Sequence, residues 1–164
     1  MHIKLFLASS IIEFENYRNE IGALIRRVQD IVIESDIRIH LFVCEYCDSS
    51  LSSRDSKQED YMEELRTSDI FVMLIGKKLG NYTRKEYLES LKCPNIKREI
   101  IFLNEKNIDN SVTAFQEEIK NQKDIYTYYK KEKEEAKQII LDSISSKINM
   151  NLLYENGKVI IKDR

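Results

Sequence analysis

The residues best equipped for chemistry lie together in Gly76-Lys77-Lys78-Leu79-Gly80-Asn81-Tyr82-Thr83-Arg84-Lys85-Glu86-Tyr87. Two of the chain's four glycines fall in this stretch. A glycine in such a place serves a positive φ or a close approach of the backbone to another group. Lys77, Lys78, Arg84 and Lys85 make the segment basic. Tyr82 and Tyr87 offer aromatic faces on which a base or a pyridine ring can stack, and Glu86 places a carboxylate among the cations. The combination suits a nucleotide with phosphates. The plainer alternative is a tight turn, a solvated basic rim and Glu86 as the last residue of a Thr83-x-x-Glu86 capping box.

A second constellation is Ser9-Ser10-Ile11-Ile12-Glu13. Ser10 and Glu13 have the same capping-box spacing, as do Ser56 and Glu59. Helix N-termini carry free N–H groups and a partial positive charge, so such a rim also accepts an anion such as phosphate. Glu45 and Asp48 are candidates for ribose hydroxyls. Cys44-Glu45-Tyr46-Cys47 is a lone Cys-x-x-Cys. A thioredoxin-like motif needs a helix directly after it, and the sequence places the next helix only from about Ser56. Zinc would need two further ligands, drawn from Cys93, His2, His40 or a carboxylate. No metal is expected.

Composition narrows the chemistry further. The 164 residues include four Gly and one Pro, where an average chain of this length has roughly eleven and eight. The glycine-rich dinucleotide fingerprint and the Walker-type phosphate loop are thereby excluded. With His2 and His40 as the only histidines, a three-His metal site cannot be built and a Ser-His-Asp triad has two candidate bases. A net charge of −2 gives no footprint for duplex nucleic acid, so no nucleic-acid partner is expected. No run approaches the roughly 18 apolar residues that span a bilayer, and the apolar stretch near Met1 is too short for a signal peptide. Three Cys fit a reducing compartment. The expectation is a cytoplasmic protein with no membrane association.

The elements that position these residues follow from hydrophobic period. Ile3–Ala8, Arg38–Val43, Asp69–Ile75, Arg98–Leu103 and Ile125–Tyr129 read as strands. Asp69–Ile75 lacks polar alternation, as expected of a strand buried on both faces of a parallel sheet. Phe14, Tyr17, Ile21, Leu24, Ile25, Val28 and Ile31 recur at helical spacing, predicting a helix of about five turns from Ile11. Further helices are predicted around Tyr61–Leu65 and over Thr83–Lys92, Ser111–Gln122 and Glu132–Ile148. Five strand–helix alternations predict an α/β, flavodoxin-like doubly wound fold, a five-stranded parallel sheet with helices on both faces. Ligands of such folds bind at the carboxyl ends of the strands. The domain is placed at 1–149, with 150–164 a hairpin around Asn156-Gly157 or a linker.

Lys4-Leu5-Phe6-Leu7-Ala8-Ser9-Ser10, a helix with Tyr17-Arg18, Thr67-Ser68-Asp69-Ile70-Phe71, Ile75-Gly76-Lys77-Lys78-Leu79-Gly80 and Tyr82-Thr83-Arg84-Lys85-Glu86-Tyr87 follow one another in an order that resembles the TIR-like domains of bacterial defence and signalling proteins. The likeness covers roughly residues 3 to 105. It is nearest to a branch of unknown function found at the N-terminus of larger NTPase sensors. It implies a flavodoxin-like fold and, for many members, cleavage of NAD at the nicotinamide–ribose bond by one Glu on the helix after strand three. Glu86 occupies that place. The Trp-Cys pair that precedes this Glu in many TIR domains is absent, because the chain has no Trp.

Nucleoside 2-deoxyribosyltransferases carry a similar Gly-Thr-x-x-Glu segment, and there the Glu attacks an N-glycosidic bond. Together these likenesses imply Glu86 as the catalytic carboxylate. Ser9, Ser10, Glu45, Gly76, Lys77, Gly80, Tyr82 and Thr83 are then the candidate substrate-binding residues. They imply NAD as substrate with no separate cofactor, and self-association or a fused partner protein in anti-phage signalling. The alternatives are a non-catalytic adaptor and a nucleotide-sensing module.

Overall fold

A computed structural model describes residues 1–10, 13–43 and 60–162. In chain order the elements are β1 (His2–Ala8), α1 (Glu15–Val32), a 3-10 turn (Ile33–Ser35), β2 (Arg38–Val43) and α2, whose described part covers 60–66. Then come β3 (Ile70–Ile75), α3 (Asn81–Ser90), β4 (Lys97–Leu103), α4 (Asn110–Ile119), β5 (Ile125–Lys131), α5 (Lys133–Ile148), β6 (Leu152–Glu155) and β7 (Lys158–Ile161). Five strands form one parallel sheet in the order β2-β1-β3-β4-β5. That is the flavodoxin-like, doubly wound order.

The side-chain period of two explains why this sheet needs cover on both sides. Leu5 and Leu7 of β1, Ile70, Val72 and Leu74 of β3, and Ile101 of β4 join an apolar cluster with α1 and α5. Their alternates Phe6, Phe71, Met73, Ile75, Ile100 and Phe102 join a second cluster with Met62, Leu65, Tyr87, Val112 and Phe115 of α2, α3 and α4. All six residues of β3 are buried, as their uninterrupted apolar run predicts. Each fully buried large side chain stabilises the fold by roughly 1.5–3 kcal/mol before the cost of ordering it.

Two helix starts differ from expectation. α1 begins at Glu15, with Glu13 and Phe14 in a turn before it. α3 begins at Asn81, two residues earlier than the apolar pattern implies, because Gly80 takes an extended conformation (φ −78°, ψ 159°) and accepts the first helical hydrogen bond from Arg84 N–H at 3.1 Å.

Residues 152–161 form an antiparallel hairpin. Both turn residues, Asn156 and Gly157, have positive φ (50° and 75°), as an Asn-Gly two-residue hairpin requires. The hairpin is tied to α5: Leu152 N–H donates to Ser145 Oγ at 3.0 Å and Tyr154 N–H to Gln138 Oε1 at 2.7 Å. Lys137, buried between them, donates to Glu134 at 3.0 Å, Glu20 at 3.1 Å and Tyr154 at 3.4 Å. Burial works against its charge, but these hydrogen bonds outweigh that and raise its pKa.

Candidate functional site

β1 leads on to β2 on one side of the sheet, while β3 lies on its other side. The chain therefore reverses its direction of progress between β1 and β3, and the crevice of a doubly wound fold opens at their carboxyl ends. Ala8 pairs with Met73, so Ser9 and Ser10 leave β1 beside the end of β3, where Gly76 and Lys77 follow.

Glu13 joins the two strand ends. Its Oε1 accepts Lys77 N–H at 2.5 Å. A Cβ on Gly76 would lie 2.0 Å from that same oxygen, 2.7 Å from Glu13 Cδ and 2.9 Å from Phe14 Cζ. Gly76 thus permits the close approach of Glu13 and Phe14 and does not serve a positive φ. Gly80 meets no such neighbour, and its role is the extended N-cap of α3. A carboxylate on a backbone N–H is a charge-assisted bond, with a net contribution of about 1.5–3 kcal/mol.

The capping box expected at Ser10 and Glu13 is only half present. Glu13 N–H donates to Ser10 Oγ at 3.3 Å, while the Glu13 side chain serves Lys77. On its far side the 76–80 loop is pinned by Asp109 N–H to Lys77 O at 2.8 Å and Leu79 N–H to Ser111 Oγ at 3.0 Å. Asp109 also caps α4, and the hydrogen bond it accepts from Ser111 N–H lowers its pKa.

Ser9 is 9% exposed, and its Oγ has no hydrogen-bond partner among the described residues. A buried hydroxyl left unpaired costs about 1–3 kcal/mol.

α3 turns Thr83, Glu86, Tyr87 and Ser90 inward at helical spacing, and packs on β1 and β3. Glu86 is 3% exposed and engages the surrounding protein. The expected Thr83–Glu86 capping box does not form. Gly80 is the N-cap, so Glu86 lies six residues into the helix, beyond the free N–H groups of its first turn.

Packing gives three more of these side chains partners within the protein. Tyr87 is core, set edge-on against Phe115 with ring centroids 4.9 Å apart, so its face is not offered to a base. Tyr82 is half-buried and carries the Lys85 ammonium over its ring at 5.4 Å. Arg84 is held by Glu118 on α4.

The structure therefore gathers Ser9, Ser10, Gly76 and Lys77 at the crevice and puts Gly80, Tyr82 and Thr83 at the start of α3. Glu45 lies outside the described residues, as do Asp48, Cys44, Cys47, Ser56 and Glu59. Glu13 was assigned only a capping role by its sequence context. The apolar period starts at Phe14, however, and places Glu13 ahead of the helix at the ligand edge.

Among the described residues no group of three His, Cys, Asp or Glu is placed to hold a metal. No described helix is long and apolar enough to cross a membrane. The chain matches no protein-family model and no curated protein sequence.

Proposed function

We propose that the chain binds NAD over the carboxyl ends of β1 and β3 and cleaves its nicotinamide–ribose bond, as an effector in bacterial anti-phage signalling. The observation that carries this reading is Glu86. It is a buried carboxylate on the inward face of α3, behind the crevice loop, at a helix position where it cannot cap.

In the proposed reaction the C1′–N bond breaks and its electron pair neutralises the pyridinium nitrogen, so no strong general acid is needed. Positive charge grows on C1′. A carboxylate in a low-dielectric site stabilises that charge far more than one in water. Water then adds to C1′, giving ADP-ribose, nicotinamide and a proton. Ser9, Ser10 and the Gly76–Gly80 loop hold the diphosphate in this reading, and Tyr82 and Thr83 line the approach to Glu86.

With Glu86 only 3% exposed, substrate meets it after the packing over α3 gives way. Self-association is the proposed cause, so nicotinamide release should rise more steeply than linearly with protein concentration. The test is release from NAD by the wild type and Glu86→Gln across a concentration series. Loss of about a hundredfold or more in the variant is expected for removal of a transition-state charge partner. The burial of Glu86 also favours a second reading, a module that binds a nucleotide or self-associates without cleaving. Saturable NAD binding without release at any concentration would select it.

A further inference from the structure

We propose that Gly76 and Lys77 form a phosphate-binding seat whose present occupant is the Glu13 carboxylate, and that a diphosphate-bearing ligand binds there by displacing it. This rests on the reading of the β1/β3 edge as a nucleotide site and adds a residue-level competitor to it.

The first observation is the fit of the occupant. Glu13 Oε1 accepts Lys77 N–H at 2.5 Å and lies where a Gly76 Cβ would be. A phosphate oxygen uses a strand-end loop in the same way: an exposed backbone N–H donates, and a bare Cα allows close approach. The second observation is independent of Glu13. Ser9 Oγ, nine-tenths buried at the same edge, has no partner among the described residues, and its hydroxyl is a donor that a phosphate's extra oxygens can use and a single carboxylate leaves idle.

Charge and mobility agree with displacement. Lys77 and Lys78 are exposed and favour an incoming anion once the Glu13 charge leaves. Glu13 is half-exposed, so its carboxylate can rotate into water without moving α1. An anion that must first displace this occupant binds with an apparent affinity reduced by the fraction of protein in which the seat is open.

The test titrates inorganic pyrophosphate into wild type, Glu13→Ala and Glu15→Ala, reading affinity by calorimetry and the Lys77 amide resonance by NMR. Glu15 is an exposed neighbour and controls for simple loss of a negative charge. Glu13→Ala should bind pyrophosphate about tenfold or more tightly than wild type, as expected from removal of one charge-assisted competitor. The Lys77 amide should shift, and Glu15→Ala should follow wild type. Gly76→Ala fills the seat with a methyl group and should abolish the shift.

Should Glu13→Ala not fold, Glu13→Gln, which keeps the shape and removes the charge, should show a smaller gain of the same sign. ADP-ribose run in parallel separates two sources of the anion. Tighter binding than pyrophosphate assigns the seat to a nucleotide's diphosphate, and equal binding assigns it to the free ion. Equal pyrophosphate affinity in wild type and the folded Glu13 variants, or a Lys77 amide that does not move, overturns the proposal. Neither readout involves NAD turnover, so the result stands or falls separately from the cleavage reaction.

Discussion

The two ends of the sheet treat their buried polar groups differently. At the amino end of β4, Arg98 is 5% exposed and its partners among the described residues are backbone carbonyls. It donates to Ser90 O at 3.0 and 2.6 Å, to Cys93 O at 2.6 Å and to Asp124 O at 3.4 Å. Nearby, Lys4 N–H donates to Asp69 Oδ2 at 2.8 Å. Glu99, also buried, takes Ser143 Oγ at 2.7 Å and faces Lys97 Nζ at 3.4 Å. Among the described residues its Oε2 is the exception in this half: no donor meets it in good geometry, although the carboxylate is close enough to the Tyr128 hydroxyl to raise its pKa.

At the carboxyl end Ser9 Oγ has no partner among the described residues, Lys77 N–H is served by a carboxylate from another element, and a side chain on Gly76 would meet Glu13 and Phe14. Polar groups at the amino end close the fold upon itself. Those at the carboxyl end leave a buried hydroxyl idle, at some cost in stability, and it is there that the proposed ligand would bind.

Mutations can break this contrast. The largest effect is expected at the amino end. Arg98→Met should lower stability by about 3 kcal/mol in denaturant melts, because three carbonyls lose a charged donor. Gly76→Ala should cost about 1–3 kcal/mol by overpacking against the buried Phe14 ring, since the Glu13 carboxylate can swing into water.

The sharpest comparison sets one serine against another. Ser143→Ala should destabilise by about 1–2 kcal/mol, since it strips a donor from buried Glu99. Ser9→Ala should be neutral or stabilising by up to about 1 kcal/mol, since it removes an unpaired hydroxyl. A Ser9 variant as damaging as the Ser143 variant would erase the difference between the two ends.

The smallest effect is a pH dependence. The hydrogen bond from Arg66 depresses the Glu89 pKa below its usual 4.5. A depressed folded pKa gives stability that is present above pH 4.5 and is lost as pH falls through the folded value. With Arg66 partly exposed, Arg66→Ala should remove less than about 1 kcal/mol of it, read from melts at pH 7 and pH 3.

The fold was legible because its signals are local and redundant. The unbroken apolar run of Ile70–Ile75 announces a central strand, and the spacing Phe14-Tyr17-Ile21-Leu24-Val28 announces α1. The site was less legible, because its decisive contacts are long-range. Glu13 and Lys77 are 64 residues apart, and nothing in the spacing of Gly76 says that a Glu from the first strand–helix turn lies against it.

The expected stacking face of Tyr87 lies instead against Phe115, because an aromatic on a helix start looks alike in sequence whether it points to solvent or to the core. The Ser/Thr-x-x-Glu spacing at Ser10 and at Thr83 suits a capping box and an anion-binding helix start alike, and neither forms a complete box; the third, Ser56–Glu59, lies outside the described residues. Among the described residues the complete box is a different one, Glu132–Glu135 at α5, where a carboxylate takes the role usually given to a hydroxyl residue.

The most direct test of the proposed activity is nicotinamide release from NAD, followed over increasing protein concentration in wild type and in a folded Glu86→Gln variant. The account predicts release by the wild type that grows more steeply than protein concentration and falls about a hundredfold or more in the variant. Equal rates in the two proteins would remove Glu86 from the reaction, and no release at any concentration would contradict the cleavage itself.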